Sequence, residues 1–161
     1  MKIVIMRHGK PGFDFEAIKF KRMSSAQLGE IIHNYALSTL DPSSQPSSDS
    51  RRMAGKCHFS ICSDLPRAII SCELLGGGEN NTVDPCFRES ALPFLDWHQP
   101  RLTFFSWAII FRFAWLLGFS RNGESCKEAK LRSKLGADKL GPVHTKFLPR
   151  GHLVSRDHRH F

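Results

Sequence analysis

The stretch Lys2–Met6 reads as a short, apolar, β-branched run that stops abruptly at Arg7-His8-Gly9. A run of this kind bounded by polar residues is the pattern of a strand buried on both faces of a parallel sheet. That choice constrains the whole chain, because a parallel sheet needs crossover helices and gathers ligands beyond the carboxyl ends of its strands. Arg7, His8 and Gly9 then stand where a site is built. A surface turn that carries two cationic side chains is the other reading of the same residues.

A length of 161 residues suits one domain with a core of its own, and 41% hydrophobic with 24% charged residues is the balance of a globular chain. The five cysteines (Cys57, Cys62, Cys72, Cys86, Cys126) are odd in number and form no C-x-x-C pair. With no signal peptide read at the start, neither a disulfide framework nor a zinc site is expected, and the expected compartment is a reducing cytoplasm. The net charge of +8 suits an anionic partner. The cations are scattered and no helix-turn-helix, RNA-recognition or zinc-finger pattern is present, so a small phosphorylated compound fits better than a specific nucleic acid.

Along the chain, "SSAQLGEIIHNYALSTL" sets Leu28, Ile31, Ile32, Tyr35 and Leu40 at helical spacing behind the capping residues Ser24 and Ser25. His33 lies off that stripe and reads as solvated. "DPSSQPSSDSRRMAGK" is Ser- and Pro-rich and reads as a surface loop. "CHFSICS" is a second buried strand. "SDLPRAIISCELLGGG" is a helix with Ser63 or Asp64 as its cap, Pro66 in its first turn and Gly76 at its close. "NTVDPCF" is a third strand, followed at once by Glu89.

The segment 102–120, "LTFFSWAIIFRFAWLLGFS", is nearly long enough for a membrane span. Ten Leu, Ile or Phe residues at about −0.3 to −0.6 kcal/mol each are offset by about +3 kcal/mol for Arg112 and by smaller penalties, so insertion comes out near zero. A core helix is the expected outcome, with membrane contact through 102–120 the lesser alternative. "NGESCKEAKLRSKLGADKL" is a charged helix capped by Asn122 or Ser125.

Three strand ends thus deliver Arg7 and His8, then Arg67, then Glu89. Arginine forks match phosphate oxygens, so Arg7 and Arg67 suit a phosphoryl group and its developing charge. His8 is suited to attack phosphorus and carry it as a phosphohistidine. Glu89 is suited to protonate the departing alkoxide and later deprotonate water, a role for which partial burial is expected to raise its pKa. Metal is not needed for this scheme, because the arginines supply the charge, and no cofactor is expected. Each residue also has a plainer reading, Arg67 as a surface arginine and Glu89 as a solvated carboxylate.

The chain resembles the histidine phosphatase superfamily, the phosphoglycerate-mutase-like enzymes. The family's R-H-G after an amino-terminal strand matches Arg7, His8 and Gly9. Its S-x-L-x-R-A element matches "SDLPRA", Ser63 to Ala68, and its acidic residue after a strand matches Glu89 in "FRESALP". "WLLGFSRNGES" is similar to the segment before the long helix of small bacterial members, so the resemblance covers residues 1–140. It implies His8 as the phosphorylated nucleophile, Arg7 and Arg67 as phosphate ligands, and Glu89 as the proton donor. It also implies a three-layer α/β/α sandwich with a mostly parallel sheet. The short chain favours a phosphatase over a mutase.

Family members close with a strand leading into a second His-Gly and a helix. Residues 141–161 instead read as an atypical basic, His-rich tail that lacks this motif, so the last strand and helix are expected to be missing, as in a truncated or frame-shifted product. His144 and His152 are candidate substitutes for the second pocket histidine, and the H-x-H of His158 and His160 is a weak metal pattern. The expected function is a metal-independent phosphatase acting through phospho-His8. The alternative is an inactive remnant that keeps an anion pocket or serves as an interaction module.

Overall fold

The computed structural model describes residues 3–76 and 81–146. In chain order the elements are β1 (Arg22–Met23), α1 (Ser25–Leu37), α2 (Ser48–Ala54), β2 (Ser60–Cys62), α3 (Pro66–Leu74), β3 (Asn81–Val83), a single 3-10 turn (Pro85–Phe87), β4 (Leu102–Thr103), α4 (Phe104–Leu116) and α5 (Cys126–Lys146). The chain is mixed α/β. Among the described residues its sheets are two short pairings: β2 with β3, parallel, and β1 with β4, antiparallel. The three-layer sandwich around a mostly parallel sheet is therefore not assembled among them.

The first departure from expectation lies at the amino end. Residues 3–6 form no strand, and Ile3 and Ile5 are 51% and 92% exposed. Their apolar character marks a segment able to pair, but burial needs neighbouring strands that the described residues do not place there. "CHFSICS" does yield β2, half-buried rather than buried. The Ser/Pro-rich segment is the second departure: it contains α2, because Ser47 accepts a hydrogen bond from the Ser50 amide and Asp49 sits in the first turn, where helix N-termini favour negative charge.

The helices follow their local signals more closely. Ser24 caps α1 through a reciprocal capping box with Gln27, and the apolar stripe turns Leu28 fully inward while Ile31 and Ile32 pack beside it. His33 is exposed, as its position off the stripe predicts. The N-cap of α3 is Leu65 rather than Ser63 or Asp64, with Pro66 opening the helix, and Gly76 closes the turn at φ +65°. α5 starts behind Ser125, whose hydroxyl and amide both bond Glu128, and it runs past 140 to Lys146.

The core is built from Met23, Leu28, Leu95, Trp107 and Phe111. Trp107 stacks on Phe111 with centroids 5.1 Å apart and donates its indole N–H to the Met23 carbonyl at 2.8 Å. The buried Ser25 hydroxyl accepts the Leu95 amide at 2.8 Å and so joins the start of α1 to the 90s segment. No helix among the described residues is long and apolar enough to cross a membrane.

Candidate functional site

The segment carrying His8 is held by backbone bonds to distant side chains. The Gly9 amide donates to Ser71 Oγ at 3.0 Å, and that hydroxyl donates to the Arg67 carbonyl at 2.7 Å. The Lys10 amide donates to Ser44 Oγ at 2.9 Å, and Lys10 Nζ pairs with Asp41 at 2.8 Å. Lys10, with the Ser43 hydroxyl and amide, holds the Asp41 carboxyl well below the usual carboxylate range. A Cβ at position 9 would lie 2.4 Å from Ser44 Oγ, so a larger residue there must displace the hydroxyl that accepts the Lys10 amide.

His8 is thereby fixed with its two ring nitrogens in different surroundings. Nδ1 lies 2.7 Å from the Gly9 carbonyl, so it carries the proton and donates. Nε2 accepts from Arg67 Nε at 3.1 Å and lies 3.4 Å from Glu89 Oε1. The unprotonated nitrogen of this tautomer is the one that faces the charged groups.

Arg67, in the first turn of α3, is 1% exposed. Its Nη1 donates to the Tyr35 carbonyl at 2.9 Å and to the Ala36 carbonyl at 3.4 Å, both in the last turn of α1, and the guanidinium lies 4.3 Å from the Tyr35 ring centroid. The charge thus sits against the negative end of α1, where helix carbonyls lack partners. Nη2 lies 3.6 Å from Glu89 Oε2. The sequence offered Arg67 as a full fork for phosphate, whereas here only Nη2 retains capacity for an incoming oxygen.

Glu89 is half exposed, with 52% of its side chain accessible. Its pKa is lowered, first by the hydrogen bond and charge that His8 supplies when Nε2 is protonated, with the Arg67 and Arg7 charges adding to it against desolvation. This reverses the expected upward shift: burial is incomplete and the neighbours are cationic.

Two arginines that the sequence left unremarked place Glu89. Arg88 forms a two-pronged pair with Asp64, just before α3. From α5, Arg132 uses all three nitrogens: it bonds Glu124 at 2.7 and 2.8 Å, the Cys86 and Arg88 carbonyls at 2.8 and 2.7 Å, and Ser90 Oγ at 3.1 Å. The peptide on either side of Glu89 is gripped from two directions. A lone arginine in a charged helix gives no sign in sequence that it reaches back more than forty residues.

Arg7 is exposed and lines a cavity of about 260 Å³ together with His8, Gly9, Lys10, Leu40, Ser44, Gln45, Pro46, Ser71, Leu74 and Leu75. The structure therefore brings His8, Arg67 and Glu89 into contact and leaves Arg7 at the cavity wall. No cluster of His, Cys, Asp or Glu able to hold a metal occurs among the described residues. His152, His158 and His160 lie outside the described residues, as does the side chain of His144.

No family model matches the chain, and no curated protein matches it. Among solved structures, the native structure of a mycobacterial glucosyl-3-phosphoglycerate phosphatase aligns with it at a TM-score of 0.46 and 22% identity. That alignment covers 86% of this chain, which spans only 62% of the other. The chemistry assigned to this chain rests on its own side chains.

Proposed function

We propose that the protein is a phosphatase of the phosphoglycerate-mutase-like kind, hydrolysing a small phosphomonoester through a phosphohistidine on His8. The observation that carries this reading is the pose of His8: Nδ1 donates to a backbone carbonyl while the unprotonated Nε2 faces Arg67 and Glu89. The R-H-G and S-x-L-x-R-A motifs support the same assignment.

In this scheme Arg7 and Arg67 Nη2 draw the phosphoryl oxygens toward Nε2. Nε2 attacks phosphorus in line, the N–P bond forms as the P–O bond breaks, and the leaving alkoxide takes a proton from Glu89. Water then gives its proton to Glu89 and attacks phosphorus, the N–P bond breaks, and inorganic phosphate departs. Glu89 must be protonated for the first half. The phosphoryl group assists, because its negative charge opposes the cations that hold the carboxyl ionised in the free site.

The test is phosphate release from p-nitrophenyl phosphate by the full chain beside His8→Ala. Turnover that His8→Ala abolishes supports the proposal, and equal turnover in the variant contradicts it. One observation favours the second reading, an inactive remnant with an anion pocket: Arg67 spends Nη1 on α1 and Nε on His8, which is a structural use of a guanidinium. Vanadate binding without turnover in a folded sample is the outcome that reading expects.

A further inference from the structure

α4 is apolar on two sides. Trp107 and Phe111 fill the core, yet Phe105, Ile109, Ile110, Phe113, Leu116 and Leu117 are exposed, from 45% at Ile110 to 89% at Leu117. At helical spacing these six fall on one continuous arc. Arg112 stands at its margin, with its guanidinium 5.3 Å from the Trp115 ring centroid. A helix apolar all round is normally enclosed, and no described residue encloses this side.

The surroundings are cationic. The β1–β4 pairing sets Arg22 beside Thr103, the N-cap of α4, so Lys19-Phe20-Lys21-Arg22 and Arg101 gather at the amino end of the helix. Phe20 is 81% exposed. Arg121 follows the carboxyl end and is also exposed. Glu16 faces Lys19 at 3.6 Å and Asp14 accepts the Ala17 amide, and against these two carboxylates Lys19, Lys21, Arg22 and Arg101 leave the cluster positive.

We propose that this face docks on an anionic lipid surface, with α4 lying in the headgroup plane, its outer apolar arc among the acyl chains and the flanking cations against the headgroups. The 13 residues of α4 span about 20 Å, too short for a hydrocarbon layer of about 30 Å, so the helix lies on a bilayer rather than through it. Charge argues against a second copy as the occupant: a two-fold pairing of the arc brings the cationic ends of both helices together in a chain of net charge +8. The proposal is independent of the phosphatase reading.

The test is sedimentation of the full chain with vesicles of phosphatidylcholine alone and of phosphatidylcholine with about one-third phosphatidylserine. Binding to the anionic vesicles, weakened by salt and roughly tenfold or more weaker on the neutral ones, is expected. Ile109→Glu/Phe113→Glu should remove that binding while the circular dichroism and melting temperature stay those of wild type. Leu117→Glu, at the most exposed position of the arc, is the second variant should the first misfold. Lys21→Ser and Arg101→Ser should each weaken binding about fivefold. The proposal is overturned if wild type ignores the anionic vesicles or if neither apolar variant changes binding. A dimer that Ile109→Glu/Phe113→Glu disperses, without vesicle binding, also overturns it and assigns the face to a second copy.

Discussion

His8 Nε2 and Glu89 Oε1 lie 3.4 Å apart, and the pairing acts on the carboxyl. The Glu89 pKa is lowered from 4.5, first by the hydrogen bond of a protonated His8 and further by the Arg67 and Arg7 charges, so the carboxyl is ionised at neutral pH. A depressed folded-state pKa contributes stability that is present above the ordinary value of 4.5 and is lost as pH falls through the folded value. Glu89→Gln should therefore melt below wild type at neutral pH and converge with it in acid, which thermal unfolding across pH checks. Its kinetic signature is separate. An alkyl phosphomonoester, whose alkoxide needs a proton, should lose about 10²–10⁴-fold in kcat, and p-nitrophenyl phosphate, whose phenolate leaves readily, should lose far less. Arg67→Lys keeps the charge but cannot bond His8 and the α1 carbonyls together. It should bind inorganic phosphate roughly tenfold or more weakly and lose about 1–3 kcal/mol of stability from the unpartnered carbonyls, readable by calorimetry and denaturant titration.

At the scale of elements, the site depends on α5 as much as on α3. Arg132 clamps the Cys86 and Arg88 carbonyls just before Glu89 with donors that no shorter side chain supplies. Arg132→Ala should lower kcat for an alkyl phosphomonoester with little change in the His8-dependent binding of vanadate, since Glu89 drifts while Arg67 and His8 stay. Steady-state kinetics and vanadate inhibition separate the two. At the joint of α1 and the 90s segment, Ser25→Ala leaves the buried Leu95 amide without its acceptor and should cost about 1–3 kcal/mol, measured by urea unfolding.

These elements also show what the sequence made legible. Local signals sufficed for α1, α3 and α4, because caps, Pro66, Gly76 and apolar spacing act within a few residues. They failed for residues 3–6, where Ile3 and Ile5 are exposed, because a strand is buried by its partners and not by its own composition. They failed for α2, where serines were read as loop formers although Ser47 is a helix cap. Placement at strand ends set Arg7, His8, Arg67 and Glu89 on one rim; His8, Arg67 and Glu89 lie together, although among the described residues no strand precedes Arg7. It missed the direction of the Glu89 pKa and the capping work of Arg67, both of which depend on contacts made across the fold.

For the whole molecule, the proposed catalytic corner stands beside a helix whose outer side is apolar. The net charge of +8 suits both proposals, an anionic substrate at His8 and an anionic surface at α4. The central claim concerns the covalent step, and it has a direct measurement. The full chain is mixed with a phosphomonoester, quenched in alkali, where phosphohistidine survives, and its intact mass is read beside that of His8→Ala. The account predicts a transient gain of one phosphoryl group in wild type that is lost on acid treatment and never forms in His8→Ala. A phosphoryl group that forms equally in His8→Ala, or turnover by wild type with no covalent species at any time, would contradict it.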